Sequence, residues 1–287
     1  MTLEIRPLDA PLGARVLGVD LAAGIDGSTA EAIARAWREH LVLAFPDQRI
    51  DDEALIAFTR LFGELDPPGP NPYGGPFLPE HPEINVISNV TEGGRPIGNL
   101  GAGEAIWHTD MTYAEVPPMG AVLAALEIPP EGGNTYFASM YAACEALPSD
   151  LGVRIAGRTC VHDATYNSAG MMRKGHREVT DPRQAPGARH PLVIRHPATG
   201  RPALFLGRRR NAYVLGLPLA ESEALLDALW AHAGEDRFAM AHVWSEGDVL
   251  MWDNLATMHR RDAFEPTARR ILHRTQIKGT AAPAPAA

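Results

Sequence analysis

The hydrophobic pattern of this chain is mostly short and alternating, and helical periodicity is confined to a few segments. Residues 3–8 and 14–19 alternate as short strands, with Pro11-Leu12-Gly13 as the turn between them. Residues 29–44 predict a helix, because Ile33, Trp37 and Leu41 recur on one face and Ser28 or Thr29 can cap it. Leu43-Ala44-Phe45 then runs into a turn at Pro46-Asp47-Gln48. A second helix is expected from Asp51, with Leu55, Phe58 and Phe62 inward and Gly63 as its stop.

Between Pro67 and Pro82 stand seven prolines and three glycines, which excludes a helix or a central strand. Long loops of this kind in compact domains tend to be functional. Ile84 to Val90 reads as a strand, and Gly93 to Gly103 as a second glycine-rich loop leading into Ile106-Trp107-His108-Thr109-Asp110-Met111-Thr112-Tyr113. Residues 120–128 predict a buried strand, and Ser139 caps a short helix through Leu147. Residues 163–189 lack periodicity and carry Met171, Met172, Arg173, Lys174, His176 and Arg177; they are read as a lid. Pro191–Arg195 and Pro202–Leu206 predict a strand pair around the turn at 197–200, and residues 219–232 an amphipathic helix. Asp248–Trp252 and Arg270–Ile277 are the last expected strands, and the Ala/Pro tail 281–287 is expected to be disordered. With no break in composition, residues 1–280 read as one domain. Short strands with helices mainly at one end suggest a β-sandwich or jelly roll flanked by helices, not a parallel α/β sheet.

Composition narrows the function classes. At 287 residues with 45% hydrophobic and 21% charged, the chain can bury a sizeable core. A net charge of −9 argues against nucleic acid or an anionic membrane as partner, so any anionic substrate must be drawn by local arginines. The apolar stretch from Met119 to Leu126 is too short to span a bilayer, and the first residues lack an apolar signal core. Two cysteines and nine methionines fit a reducing compartment, and a cytoplasmic location is expected. No phosphate-binding glycine loop is present.

Three His-x-acid triplets occur: His81-Pro82-Glu83, His176-Arg177-Glu178 and His108-Thr109-Asp110. The first lies between prolines and the second in the polar 163–189 stretch, contexts that fix no ligands rigidly. The third sits in a strand-like run, where residues two apart share a face. His259 follows far along the chain, and Arg270 eleven residues later. Two imidazoles and one carboxylate form the facial set that holds iron(II) and leaves positions open. The guanidinium of Arg270 suits the far carboxylate of a dicarboxylic co-substrate.

In that order these residues resemble the taurine dioxygenase and 2,4-D dioxygenase family of Fe(II)- and 2-oxoglutarate-dependent oxygenases. The matching stretches are Gly18-Val19-Asp20-Leu21, Phe62-Gly63-Glu64-Leu65, Trp107-His108-Thr109-Asp110, Gly132-Gly133-Asn134-Thr135, Trp252-Asp253-Asn254 with His259, and Arg269 through Arg274. The resemblance implies a distorted double-stranded β-helix core, that is, an α+β, β-rich jelly roll with flanking helices. It implies His108, Asp110 and His259 as iron ligands, and Arg270 with Thr135 holding 2-oxoglutarate. It implies that O₂ converts 2-oxoglutarate to succinate and CO₂ while an unactivated C–H of a small acidic substrate is hydroxylated. The intact carboxylate of Asp110 stands where related halogenases carry a small residue, which favours hydroxylation.

Arg274, four residues beyond Arg270, matches the arginine that holds the sulfonate in taurine dioxygenase and shares a strand face with Arg270. Met111, Asn99, Tyr73 and Phe205 are candidate pocket-wall residues. The Pro67–Pro76 loop lacks the histidine that the taurine enzyme sets beside its sulfonate, and the approach to His108 is unusually rich in glycine. Aryloxyalkanoates, alkyl sulfonates or sulfates, and amino-acid derivatives therefore stay open. Two other readings compete: a zinc or manganese hydrolase or isomerase on the same barrel, and a silent ligand-binding homologue. A homo-oligomer, dimer or tetramer, is left open.

Overall fold

The computed structural model describes residues 2–69 and 71–286. Its centre is a large sheet whose strands run in the spatial order Glu4–Pro7, Ala14–Leu17, Val42–Phe45, Val249–Asp253, Gly120–Glu127, Ile271–Ile277, Asn85–Ser88 and Asn99–Leu100, with Leu65–Asp66 paired to Ile271–Ile277. A smaller sheet carries, in order, Ala239–His242, Thr135–Ser139, Thr257–Arg261 and Ala105–His108. Nearly all pairings are antiparallel; Ala14–Leu17 beside Val42–Phe45 and Asn85–Ser88 beside Asn99–Leu100 are parallel.

Period-2 alternation decides what covers each face of the large sheet. Leu250, Trp252, Ala121, Leu123 and Leu272 pack with Phe137 and Met258 of the small sheet. Their neighbours Val249, Met251, Val122 and Ala124 pack instead with Ile33, Trp37, Leu55 and Phe58 of the helices Gly27–His40 and Asp52–Arg60. Each such side chain removed from water contributes about 1.5–3 kcal/mol. A helix cap contributes about 1 kcal/mol, so burial rather than capping holds these helices on the sheet. The result is an α+β jelly roll with flanking helices, as expected.

The departures from expectation have local causes. The first helix ends at His40, not at residue 44, because Leu41 turns left-handed at φ 65° and Val42–Phe45 joins the sheet fully buried. Its cap is Asp26, which accepts from the Thr29 amide at 2.7 Å. The 93–103 loop is partly ordered as a hairpin, Thr91–Glu92 with Arg95–Pro96, and as the strand Asn99–Leu100. The tail read as disordered instead adds a strand, Ala284–Pro285, to the edge of Val193–Arg195, and the Ala286 amide donates to the Val193 carbonyl at 3.1 Å. Ala287 lies outside the described residues. Among the described residues, no helix is long and apolar enough to cross a membrane.

Candidate functional site

The interior ends of the two sheets converge on one buried cluster. His259 lies on the strand Thr257–Arg261 and pairs in register with His108, the last residue of Ala105–His108. Their rings stand 4.2 Å apart between centroids. Phe137 occupies the next strand opposite His259, and Trp252 closes in from the large sheet at 5.2 Å. Asp110 is not a strand residue. The chain leaves the strand after His108 and turns at Asp110 and Met111, the latter at φ 49°. The shared face of His108 and Asp110 therefore comes from a turn, not from strand alternation. Asn254 fixes that turn: its Oδ1 accepts from the Asp110 amide at 2.9 Å, and its Nδ2 donates to the carbonyls of Asp110 and Pro118.

The carboxylate of Asp110 reaches 3.7 Å from His108 Nε2 and 3.8 Å from His259 Nε2. One ligand atom from each of the three residues lies within 4.8 Å of the others, the only such group of metal-binding type among the described residues. Burial lowers the pKa of both imidazoles, keeping them neutral. Burial alone would raise Asp110, but the Arg274 guanidinium and the hydrogen bond with His108 outweigh it and hold the carboxyl well below its usual range. Two neutral imidazoles and one carboxylate, with no fourth acidic or sulfur ligand, form a donor set fitted to a divalent transition metal with open positions. The other two His-x-acid triplets stay outside: His81 pairs loosely with Glu53, and His176 lies on the irregular segment near the surface.

Arg270 is 2% exposed and meets no carboxylate. Its Nη2 donates to the Gly133 carbonyl at 3.1 Å, while Nε has no partner. Burial, with Arg261 nearby, pushes it down to about 9, still protonated at neutral pH. Gly133 sits at φ 67°, and a Cβ there would stand 3.0 Å from Arg270 Nε, so this approach requires glycine. Thr135 lines the same cavity as Arg270, His108 and His259. Its hydroxyl oxygen accepts from Trp244 Nε1 at 3.0 Å. Indole can only donate, so the Thr135 hydrogen stays free to point at an acceptor in the cavity.

On the other side of Asp110, Arg274 donates to its Oδ2 at 2.6 Å. Arg274 lies between Asn85 and Leu123 of the flanking strands, and all three border the cavities at the site. Asn99 is buried, donates to Asn85 at 3.0 Å and borders the cavity with Met111. Tyr73 does not reach it: the ring is 49% exposed and packs edge-on against Phe77. Phe205 is a core residue packed against the rings of both His162 and His190. From the 163–189 segment, Asn167, Ser168 and Arg173 border the cavity.

Sequence reasoning missed Arg208 and Trp244, and named Arg173 only within the 163–189 lid and Asn254 only within a matching stretch, without a role at the site. Arg208 is buried beside His108, its Nη2 at 3.8 Å from Asp110 Oδ1. A run of three arginines, Arg208 to Arg210, in an acidic chain was the available signal. Only one of them turns inward: Arg209 pairs with Glu223 and Asp227, and Arg210 lies over the Tyr166 ring. Gly207 permits the inward turn, since a Cβ at its φ of 72° would fall 2.1 Å from His162 Nδ1.

Comparison with known proteins agrees with this geometry. The family model described as taurine catabolism dioxygenase TauD, TfdA family matches residues 4–276. The chain is 35% identical to the (S)-phenoxypropionate/alpha-ketoglutarate-dioxygenase of Sphingobium herbicidovorans, covering 96% of this chain and 95% of that one. It is 34% identical to pentalenolactone F synthase of Streptomyces avermitilis, over 92% and 90% of the two chains. Among solved structures, AAD-2 in complex with Mn(II) and N-oxalylglycine superposes with a TM-score of 0.79 at 30% identity, covering 98% of this chain and 99% of that one. A paired histidine and carboxylate centre inside a jelly roll, matched along nearly the whole chain, places this protein in the TauD, TfdA family of dioxygenases, to which it belongs.

Proposed function

We propose that this protein is an Fe(II)- and 2-oxoglutarate-dependent dioxygenase that hydroxylates an unactivated C–H of a small acidic substrate, with release of succinate and CO₂. His108, Asp110 and His259 would hold the metal, whose open positions supply co-substrate chelation and O₂ activation. The observation that carries the reading is Arg270: a buried, unpaired guanidinium beside an unpaired hydroxyl hydrogen on Thr135, in the cavity that also holds both histidines. Such a pair suits the distal carboxylate of 2-oxoglutarate, with Arg270 as the charge-assisted donor and Thr135 as the neutral one. Neutral imidazoles and an ionised Asp110 need lose no proton when a cation arrives.

Arg274 would orient the acidic head of the substrate toward the metal face, with Asn99 and Met111 in the wall and Trp252, Phe137 and Leu123 excluding water behind it. Relatives that act on phenoxypropionate or 2,4-dichlorophenoxyacetate support an acidic organic substrate. A zinc or manganese hydrolase on the same barrel leaves Arg270 without a role. The test is anaerobic addition of Fe(II) and 2-oxoglutarate, which should give a weak visible charge-transfer band, followed by a succinate-release screen in air. Absence of both the band and succinate would remove the proposal.

A further inference from the structure

We propose that the substrate's head group is a dianion, received by Arg208 and Arg173 opposite Arg274; this rests on the metal and 2-oxoglutarate reading of the site given above. Three guanidiniums border the cavity beside Asp110, and Asp110 is the one acid that does so among the described residues. Arg208 is 8% exposed, and its Nε and Nη1 have no partner. Its tie to Asp110 is long, at 3.8 Å. Arg173 is 5% exposed, donates once, to the Ala164 carbonyl at 2.6 Å, and lies 4.1 Å over the Tyr113 ring. The hydroxyl of Tyr113 is buried without a partner at the same wall. Asp163 offsets part of the Arg173 charge from behind, but its own oxygens are taken by the Thr165 amide and Asn211.

Charge balance then decides between one and two negative charges on the substrate. A divalent ion, Asp110 and doubly charged 2-oxoglutarate together carry one negative charge, which Arg270 offsets. Arg274, Arg208 and the uncompensated part of Arg173 remain. A monoanion satisfies one guanidinium and leaves another buried and unpaired, an unfavourable state in a desolvated site. Two charges on the head group, as in an alkyl phosphate or a dicarboxylate, meet the cluster with forked hydrogen bonds from both sides.

The test uses the full-length enzyme with Fe(II) and 2-oxoglutarate and four matched compounds of equal chain length: an alkyl phosphate, a dicarboxylate, an alkyl sulfonate and a monocarboxylate. The charge-transfer band is recorded first, without any of them, so that failure of co-substrate binding is seen separately. Succinate formation should then show kcat/KM at least about tenfold higher for a dianion than for the monoanions, and the better dianion identifies the head-group chemistry. The phosphate-to-sulfonate ratio should rise as pH passes about 6, where a phosphate monoester takes its second charge. In Arg208→Gln the ratio of the better dianion to the better monoanion should fall toward one, with Arg208→Lys between. Equal or greater activity on a monoanion than on both dianions, or an unchanged ratio in Arg208→Gln, overturns the inference. If no band forms, protection of the wild-type protein from thermal unfolding by each compound decides the head-group preference alone.

Discussion

At the residue scale the proposed co-substrate end of the site rests on two hydrogen-bond inventories. Arg270 has a free Nε and a single carbonyl partner, so its replacement by leucine removes the charge without disturbing another ion pair. Arg270→Leu should raise the Kd for 2-oxoglutarate about 30-fold or more, read by titrating the charge-transfer band. Thr135→Val deletes the hydroxyl, so about a fivefold loss of 2-oxoglutarate affinity is expected, together with about 1–3 kcal/mol of stability because Trp244 Nε1 loses its buried acceptor. Equal affinity in both variants and wild type would move the co-substrate elsewhere. His108, Asp110, His259 and Arg270 were legible in the sequence because their residue types and order carry the chemistry. Arg208 was not, because nothing in a run of three arginines says which one the backbone turns inward; Gly207 and the bridge to His108 decide that.

At the element scale the centre depends on a strand that stops in the right place. Asp110 reaches the histidines only because the turn after His108 is held by Asn254, whose side chain makes three hydrogen bonds to two backbone segments. Asn254→Ala should lower metal affinity about 10–100-fold and reduce stability by about 1–3 kcal/mol, measured by metal titration and denaturant unfolding. Unchanged metal affinity would show that the turn holds itself. The strand at 120–127 was legible as a continuous apolar run, buried on both faces. The strand Thr257–Arg261 was not, because it buries Thr257, Met258, His259 and Arg261 together and so shows no apolar alternation. The same masking hid Thr135–Ser139, whose first residue turns a hydroxyl into the cavity. The 163–189 stretch gave no period because it is a wall built of turns, Asx contacts and one isolated bridge.

At the scale of the whole molecule, the chain is acidic overall while Arg173, Arg208 and Arg270 lie buried at the candidate site, so anion capture depends on those local arginines rather than on net charge. The interior also holds histidines that folding keeps neutral. His162 is 1% exposed with neither ring nitrogen partnered, and burial pushes it down to about 3. The unfolded chain takes that proton near pH 6.5, so this group leaves stability intact above about 6.5 and erodes it as pH falls toward 3, by about 1.4 kcal/mol per unit. His162→Gln should flatten the acid side of the stability profile by about one proton, and an unchanged slope would assign the loss to other groups. Ala105–His108 is the outermost strand of the small sheet, with one full ladder partner and a single further bridge to Arg208. A cation gripped by His108 and His259 would rivet this margin to its neighbour across residues remote in the chain. Amide protons at 105–109 should therefore exchange with solvent distinctly more slowly once the ion is loaded, while those on the helix-covered face of the large sheet keep their rates.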